Sequence, residues 1–212
     1  AENLGKLQGE SHLKTLLADL PIVWCGGQLF SRAVDTYFPS NDIQAVLGPD
    51  IPIAKLPDQH ADAIRALYEW LGVASEPRSS AIVTRIRLLT STPPDNESVE
   101  KIQRILAFFS SKWIYWDEPK RQEFSVLKRI AWLPGNKKKD VWCVPDGVYS
   151  IFQSFLFESQ GNFLLLDKQA QQRANDFIKF LGIPTEPAAE LVVKHLLDLS
   201  KRGVAANPEI YT

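Results

Sequence analysis

The sequence predicts an α+β chain of two tandem repeat units, each a short β-hairpin followed by three to four helices. Three observations lead there. The word Val-Trp-Cys stands at 23–25 and again at 141–143. The octet Trp70-Leu71-Gly72-Val73-Ala74-Ser75-Glu76-Pro77 lies over Phe180-Leu181-Gly182-Ile183-Pro184-Thr185-Glu186-Pro187 at an offset of 110, with four identities and three close substitutions. Between these landmarks the apolar residues switch between period two and helical spacing at matching places, as expected of a duplicated supersecondary unit.

The elements follow in order. Leu17-Ala18-Asp19-Leu20-Pro21 matches Ile130-Ala131-Trp132-Leu133-Pro134, and the second copy carries five extra residues before its Val-Trp-Cys word. In each copy the word ending in Leu-Pro and the alternating Val-Trp-Cys word read as two strands joined by a turn, because aromatic and β-branched residues at period two suit a half-buried pleat. The second turn, Pro134-Gly135-Asn136-Lys137-Lys138-Lys139-Asp140, reads as a solvated hairpin tip. At an offset of 118, Ala33, Val34, Tyr37 and Phe38 fall over Ile151, Phe152, Phe155 and Leu156, so residues 29–38 and 147–157 are expected to be helical. The following loop reads as eight residues longer in the first copy.

A longer amphipathic helix is predicted over about 58–71 and 168–181. Gly72 and Gly182 end it, since glycine takes the left-handed C-terminal conformation without a Cβ penalty. Pro77 and Pro187 suit the first turn of the next helix, with Glu76 and Glu186 at its positive end. Along that helix Ile82, Val83, Ile86 and Leu89 lie over Val192, Val193, Leu196 and Leu199. A third helix is predicted from Asn96 to Ser110. Its counterpart begins at Asn207-Pro208-Glu209-Ile210-Tyr211 and is cut short at Thr212. The boundary is expected after residue 111, giving a first unit of 1–111 and, over 112–212, a junction strand with a truncated second unit. The truncation and the absence of methionine suggest a piece of a longer repeat-containing protein.

The order L-x-x-(L/I)-x-x-LP, a turn, VW(C/V)xP, then FLGIPTEPAAELVVKHLLDLS and NPEIY resembles the repeat regions of sacsin-like proteins, large multidomain chains with Hsp90-type ATPase modules. The likeness covers much of 128–212 and, more faintly, 13–110. It implies a chaperone-associated interaction segment whose ATPase module lies elsewhere. The Asn-bearing helix and Asp-x-Gly-x-Gly turn of that module do not occur here; Gly26-Gly27 and Gly48-Pro49-Asp50 have a different form.

Composition narrows the function classes. The 212 residues carry 24 Lys and Arg against 25 Asp and Glu, a net charge of −1, so there is no surplus of cations for a phosphate backbone. The longest apolar runs, such as Phe163-Leu164-Leu165-Leu166, fall far short of a membrane span. Only two cysteines are present, on separate strand words, so a reducing, cytoplasmic setting is the default and both read as small buried hydrophobes. No cofactor motif or metal-ligand spacing is present.

Catalytic candidates are few. His12, His60 and His195 have no nucleophile motif around them and read as surface or capping residues. Trp113, Tyr115 and Trp116 form an aromatic word, expected as a strand at the junction and, where exposed, as an interaction surface. A rival reading notes that helices followed by a hairpin also order a winged helix, in which Arg78, Arg85 and Arg87 would face DNA. The second copy puts Ala188, Glu190 and His195 on that helix, which argues against nucleic acid. The expected role is a non-catalytic protein-interaction or scaffolding segment, with other proteins or other domains of the same chain as partners; a regulatory segment of an ATPase is the further alternative.

Overall fold

The computed structural model describes residues 11–137 and 139–206. Its elements are α1 (Ser11–Ala18), β1 (Pro21–Gly26), β2 (Leu29–Arg32), α2 (Asn41–Leu47), α3 (Ala61–Leu71), α4 (Ser79–Leu89), α5 (Asn96–Lys112), α6 (Glu118–Gln122), α7 (Lys168–Arg173), α8 (Asn175–Leu181) and α9 (Ala189–Arg202), with short 3₁₀ turns between them. The chain is α+β: helix-rich, with one two-stranded antiparallel sheet among the described residues, in the first half of the chain. It divides into two compact units between Ile82 and Val83, inside α4, and not after residue 111. The reason lies in α5: its buried stripe of Ile102, Ile105, Leu106 and Phe109 packs on α7 and α8, so the third helix belongs with the second half of the chain.

In the first unit β1 and β2 pair antiparallel, Val23 opposite Ser31 and Trp24 opposite Phe30. This corrects the expected hairpin. Leu20-Pro21 runs straight into Val-Trp-Cys with no residues left for a turn, and the turn comes after it at Gly27-Gln28, where Gly27 takes φ 57°. Residues 29–32 are therefore strand, and only Ala33–Asp35 of the expected 29–38 helix coils, as one 3₁₀ turn. Val23 points into a core of Ala33, Phe38, Ala54, Tyr68, Leu71 and Val73. The chain at 36–38 is stitched between two neighbours: Tyr37 bridges both Ile53 and Ala74 in parallel. Helix α3 begins at Ala61, three residues later than expected, behind His60 in a left-handed conformation. It stops at Gly72 (φ 105°), whose N–H donates to the Tyr68 and Glu69 carbonyls (3.0 and 3.1 Å).

In the second unit Asp95 caps α5 through a reciprocal pair with Ser98: the Ser98 N–H donates to the carboxylate at 2.7 Å, and the Asp95 N–H donates to the Ser98 hydroxyl at 3.0 Å. The expected junction strand is absent. Lys112 ends α5, and Trp113–Tyr115 continues it as a 3₁₀ turn, because Trp113 completes the apolar face begun by Phe109. The Leu-Pro and Val-Trp-Cys words here do meet, as a single antiparallel bridge, Leu133 to Cys143. Residues 151–156 form 3₁₀ turns. The long helix expected over 168–181 breaks at Ala174 into α7 and α8. The next helices start at Ser79 and Ala189, two residues beyond the prolines expected in their first turns. The predicted helix from Asn207 lies outside the described residues.

One backbone frame recurs in both units. The Tyr37 N–H donates to the Pro52 carbonyl (3.1 Å), as Tyr149 does to Asn162 (2.8 Å). Ala54 donates to Tyr37 (2.8 Å) as Leu164 does to Tyr149 (3.0 Å), and Phe38 to Ala74 (2.9 Å) as Ser150 does to Pro184 (3.0 Å). Lys55 donates to Trp24 (2.8 Å) as Leu165 does to Pro134 (2.9 Å). In this register Val23 matches Leu133, and Ser31 matches Cys143. The two Val-Trp-Cys words therefore occupy different strands, the first in one unit and the second in the other. The offset runs 110, then 112, then 110, replacing the 118 read from the words: the turn is two residues longer in the second unit and the following loop two residues shorter.

Candidate interaction surfaces and a polar cleft

The sequence-predicted aromatic word separates by burial. Trp113 is only 2% exposed, which removes it from any surface. It sits among Phe109 (6.1 Å), Phe177 (4.7 Å) and Phe180 (4.7 Å), with Trp116 at 5.8 Å. Trp116 is half-buried and stacks on Phe124 at 5.2 Å with the rings 10° apart. Tyr115 alone of the three stands out, 78% exposed, beside Ile114. The 3₁₀ turn that continues from Lys112 sets Trp113 and Trp116, three residues apart, on one inward side and Tyr115 off it, whereas a strand would put Trp113 and Tyr115 on the same face.

Arg78 does a structural job in the first unit. Its guanidinium donates to the carbonyls of Gly72, Ala33 (3.3 Å) and Thr36 (3.5 Å) and lies 4.8 Å over the Tyr37 ring. It closes the gap between the end of α3 and the turn at Ala33, giving the Gly72 carbonyl a donor and adding a second one to the Ala33 and Thr36 carbonyls, which already accept the Thr36 and Ala74 N–H groups. Arg85, on α4, is half-buried, and its Nε lacks a hydrogen-bond partner among the described residues. Apolar side chains that sequence reading did not single out are exposed instead: Leu29 and Phe30 on β2, and Val193 and Leu197 one turn apart on α9.

The second unit holds an open cleft of about 640 Å³ between α9, the 151–159 turns and the 163–167 segment. Ile151, Phe163, Leu164 and Leu199 floor it. His195 lines it and is 1% exposed, which corrects its expected surface position. The Ser159 hydroxyl lies 2.7 Å from His195 Nδ1, and the Ser159 N–H also points at Nδ1 (3.4 Å). An N–H can only donate, so Nδ1 accepts, and the proton of the neutral ring sits on Nε2. The hydroxyl in turn accepts from the Gln160 side-chain amide (3.1 Å). The Lys137 ammonium donates to the Ser159 carbonyl; partial burial, the largest influence, pulls its pKa below the usual lysine range, while Asp198 pushes the other way. No sequence signal pairs Ser159 with His195: they are 36 residues apart and lie in no motif.

A serine and a histidine in contact do not by themselves make a nucleophile. Among the described residues no carboxylate bonds the imidazole, and the serine N–H that could face an oxyanion is spent on the ring. The pair ties the 157–160 turn to α9. Both cysteines are free thiols; Cys143 is buried, and burial raises the Cys25 thiol above its usual range, against a smaller lowering by Thr36. Among the described residues no cluster of three or more potential ligands could hold a metal, and no helix is long and apolar enough to cross a membrane. Compared with protein-family models, curated proteins and solved structures, the chain matches none.

Proposed function

We propose that the chain is a duplicated interaction scaffold: a non-catalytic segment, working in the cytoplasm within a larger and chaperone-related protein of the sacsin-like kind, that binds other proteins or other domains of its own chain. One observation supports this most. The two units share four backbone hydrogen bonds, and Tyr37 recurs as Tyr149, but the polar side chains that brace the first unit are not repeated: Tyr68 matches Ile178 and Arg78 matches Ala188. A duplicated enzyme or nucleotide site would repeat its chemistry along with its frame. What repeats here is a way of holding loops and helix ends apart, with the side chains between left to vary, as in proteins that present surfaces. The exposed Leu29, Phe30, Ile114 and Tyr115 supply apolar and aromatic area of the kind that anchors partners.

The winged-helix reading is weaker, since Arg78, its first phosphate contact, is committed to three carbonyls. The test is photo-crosslinking in the full-length protein, with the probe at Phe30 or Tyr115. A discrete adduct to one protein, or to another domain of the same chain, is expected at one or both positions. Silence at both, or a substrate turnover that Ser159→Ala abolishes, would overturn the proposal.

A further inference from the structure

We infer that the cleft of the second unit binds a short, uncharged, extended peptide segment with an apolar side chain; the inference rests on the scaffold reading and names the partner chemistry of one of its surfaces. The argument starts from His195. Its side chain is almost wholly buried and lines the cleft, and its Nδ1 is held by Ser159. Nε2–H is thus a donor, and it has no partner among the described residues. That nitrogen opens onto the cleft, so an acceptor seated there would take its proton in place of water.

The rest of the lining fits a peptide better than an ion. Ser154 and Gln103 also line the cleft, and among the described residues the Ser154 hydroxyl and the Gln103 side-chain carbonyl have no partner, since Gln103 uses only its amide N–H, on the Leu165 carbonyl (3.0 Å). Donor and acceptor groups both stand ready, as a backbone with alternating N–H and C=O requires. Charge argues the same way. Arg202 faces Asp198 at 2.9 Å, Lys137 lies within the field of Glu158, and the Asp167 carboxylate accepts the Ala170 N–H as the cap of α7. With Glu158 and Asp167 against Arg202 among its lining residues, the cleft has no positive surplus to hold a free carboxylate. The floor of Ile151, Phe163, Leu164 and Leu199 offers one apolar pocket, and about 640 Å³ admits two or three residues.

The probes are acetyl-Val-Leu-Val-amide, the same peptide as its free carboxylate, and a hydrocarbon of equal volume, titrated into the intact chain while the His195 Nε2–H signal is followed by NMR. The blocked peptide is expected to shift that signal and to bind at least ~10-fold more tightly than either control, the loss of one hydrogen-bonded anchor being worth about that factor. Ser159→Ala removes the staple but leaves the Ser159 N–H on Nδ1 and the donor on Nε2, so its affinity is expected to stay within ~3-fold. His195→Phe is expected to lose at least ~10-fold. Should that variant not fold, the wild-type signal decides alone. No binding, binding without a shift at His195, or equal binding of the carboxylate or hydrocarbon overturns the inference. Crosslinks at Phe30 or Tyr115 that persist in that event leave the scaffold reading standing, and their loss as well would sink both.

Discussion

Helix α3 in the first unit and α8 in the second occupy the same place in the recurring frame and are packed to different degrees. Ile64, Leu67 and Trp70 on α3 are half-buried, resting on the core from one side. Their counterparts are Ala174, Phe177 and Phe180. Phe177 is fully buried, stacked on Phe109 at 4.3 Å and close to Trp113. In the second unit, α5 lays a row of rings against the helix; on α3, among the described residues, no ring packs on Trp70. The shared hydrogen bonds thus set where a helix lies, while the depth of packing is decided by what is brought against its outer face.

The largest expected effect tests that contrast directly. Phe177→Ala should cost about 3–5 kcal/mol, since it opens a ring-sized void in a close-packed cluster, while Leu67→Ala should cost roughly 1–2 kcal/mol because its site is already half open. Urea denaturation of each variant measures both, and equal losses would break the comparison. Next comes Arg78→Met, expected to cost about 1–3 kcal/mol as the Gly72 carbonyl loses its donor and the Ala33 and Thr36 carbonyls lose one of two. Ala188→Arg, at the matching position, should change stability by less than about 0.5 kcal/mol. A gain from the second substitution would show that the second unit has an unmet need the frame conceals.

Gly72→Ala and Gly182→Ala should cost about 1–2 kcal/mol each, and the same within error. Both glycines hold positive φ (105° and 79°), and a Cβ at either would meet nothing within 4 Å, so backbone strain is the only cost. Unequal thermal shifts would mean that the two helix ends differ in more than packing. The smallest effect concerns Asp95, whose hydrogen bonds from Ser98 hold its carboxyl below the usual range. A depressed folded value stabilises the fold above the unfolded pKa of about 4, and that contribution is lost as pH falls through the folded value. Wild type should therefore lose stability relative to Asp95→Asn on acidification; parallel acid denaturation curves would refute the cap's role.

The sequence spoke clearly where one residue decides a conformation. Gly72 and Gly182 stop helices as read, and the third helix starts at Asn96 as read, where the structure adds Asp95 as its cap; helix ends of this kind are local events. Strand register was not legible. Val-Trp-Cys looks alike wherever it falls, and only the partner strand tells which edge it occupies; the Gly27 turn and the Cys143 bridge supply that partner from opposite sides. Trp113 was misread for a related reason: whether an aromatic word is strand or helix end decides which rings face inward, and neighbouring α5 settled it. Nothing in the spacing of Ser159 and His195 foretold their contact, since the fold alone brings α9 over that turn.

The two-residue excess in the turn between Leu133 and Cys143 has a practical consequence. That turn changes length while the bonds on either side keep their geometry, so chain can be spliced there without disturbing register. An epitope or fluorophore inserted between Lys139 and Asp140 is expected to leave the bridge from Leu133 to Cys143 in place.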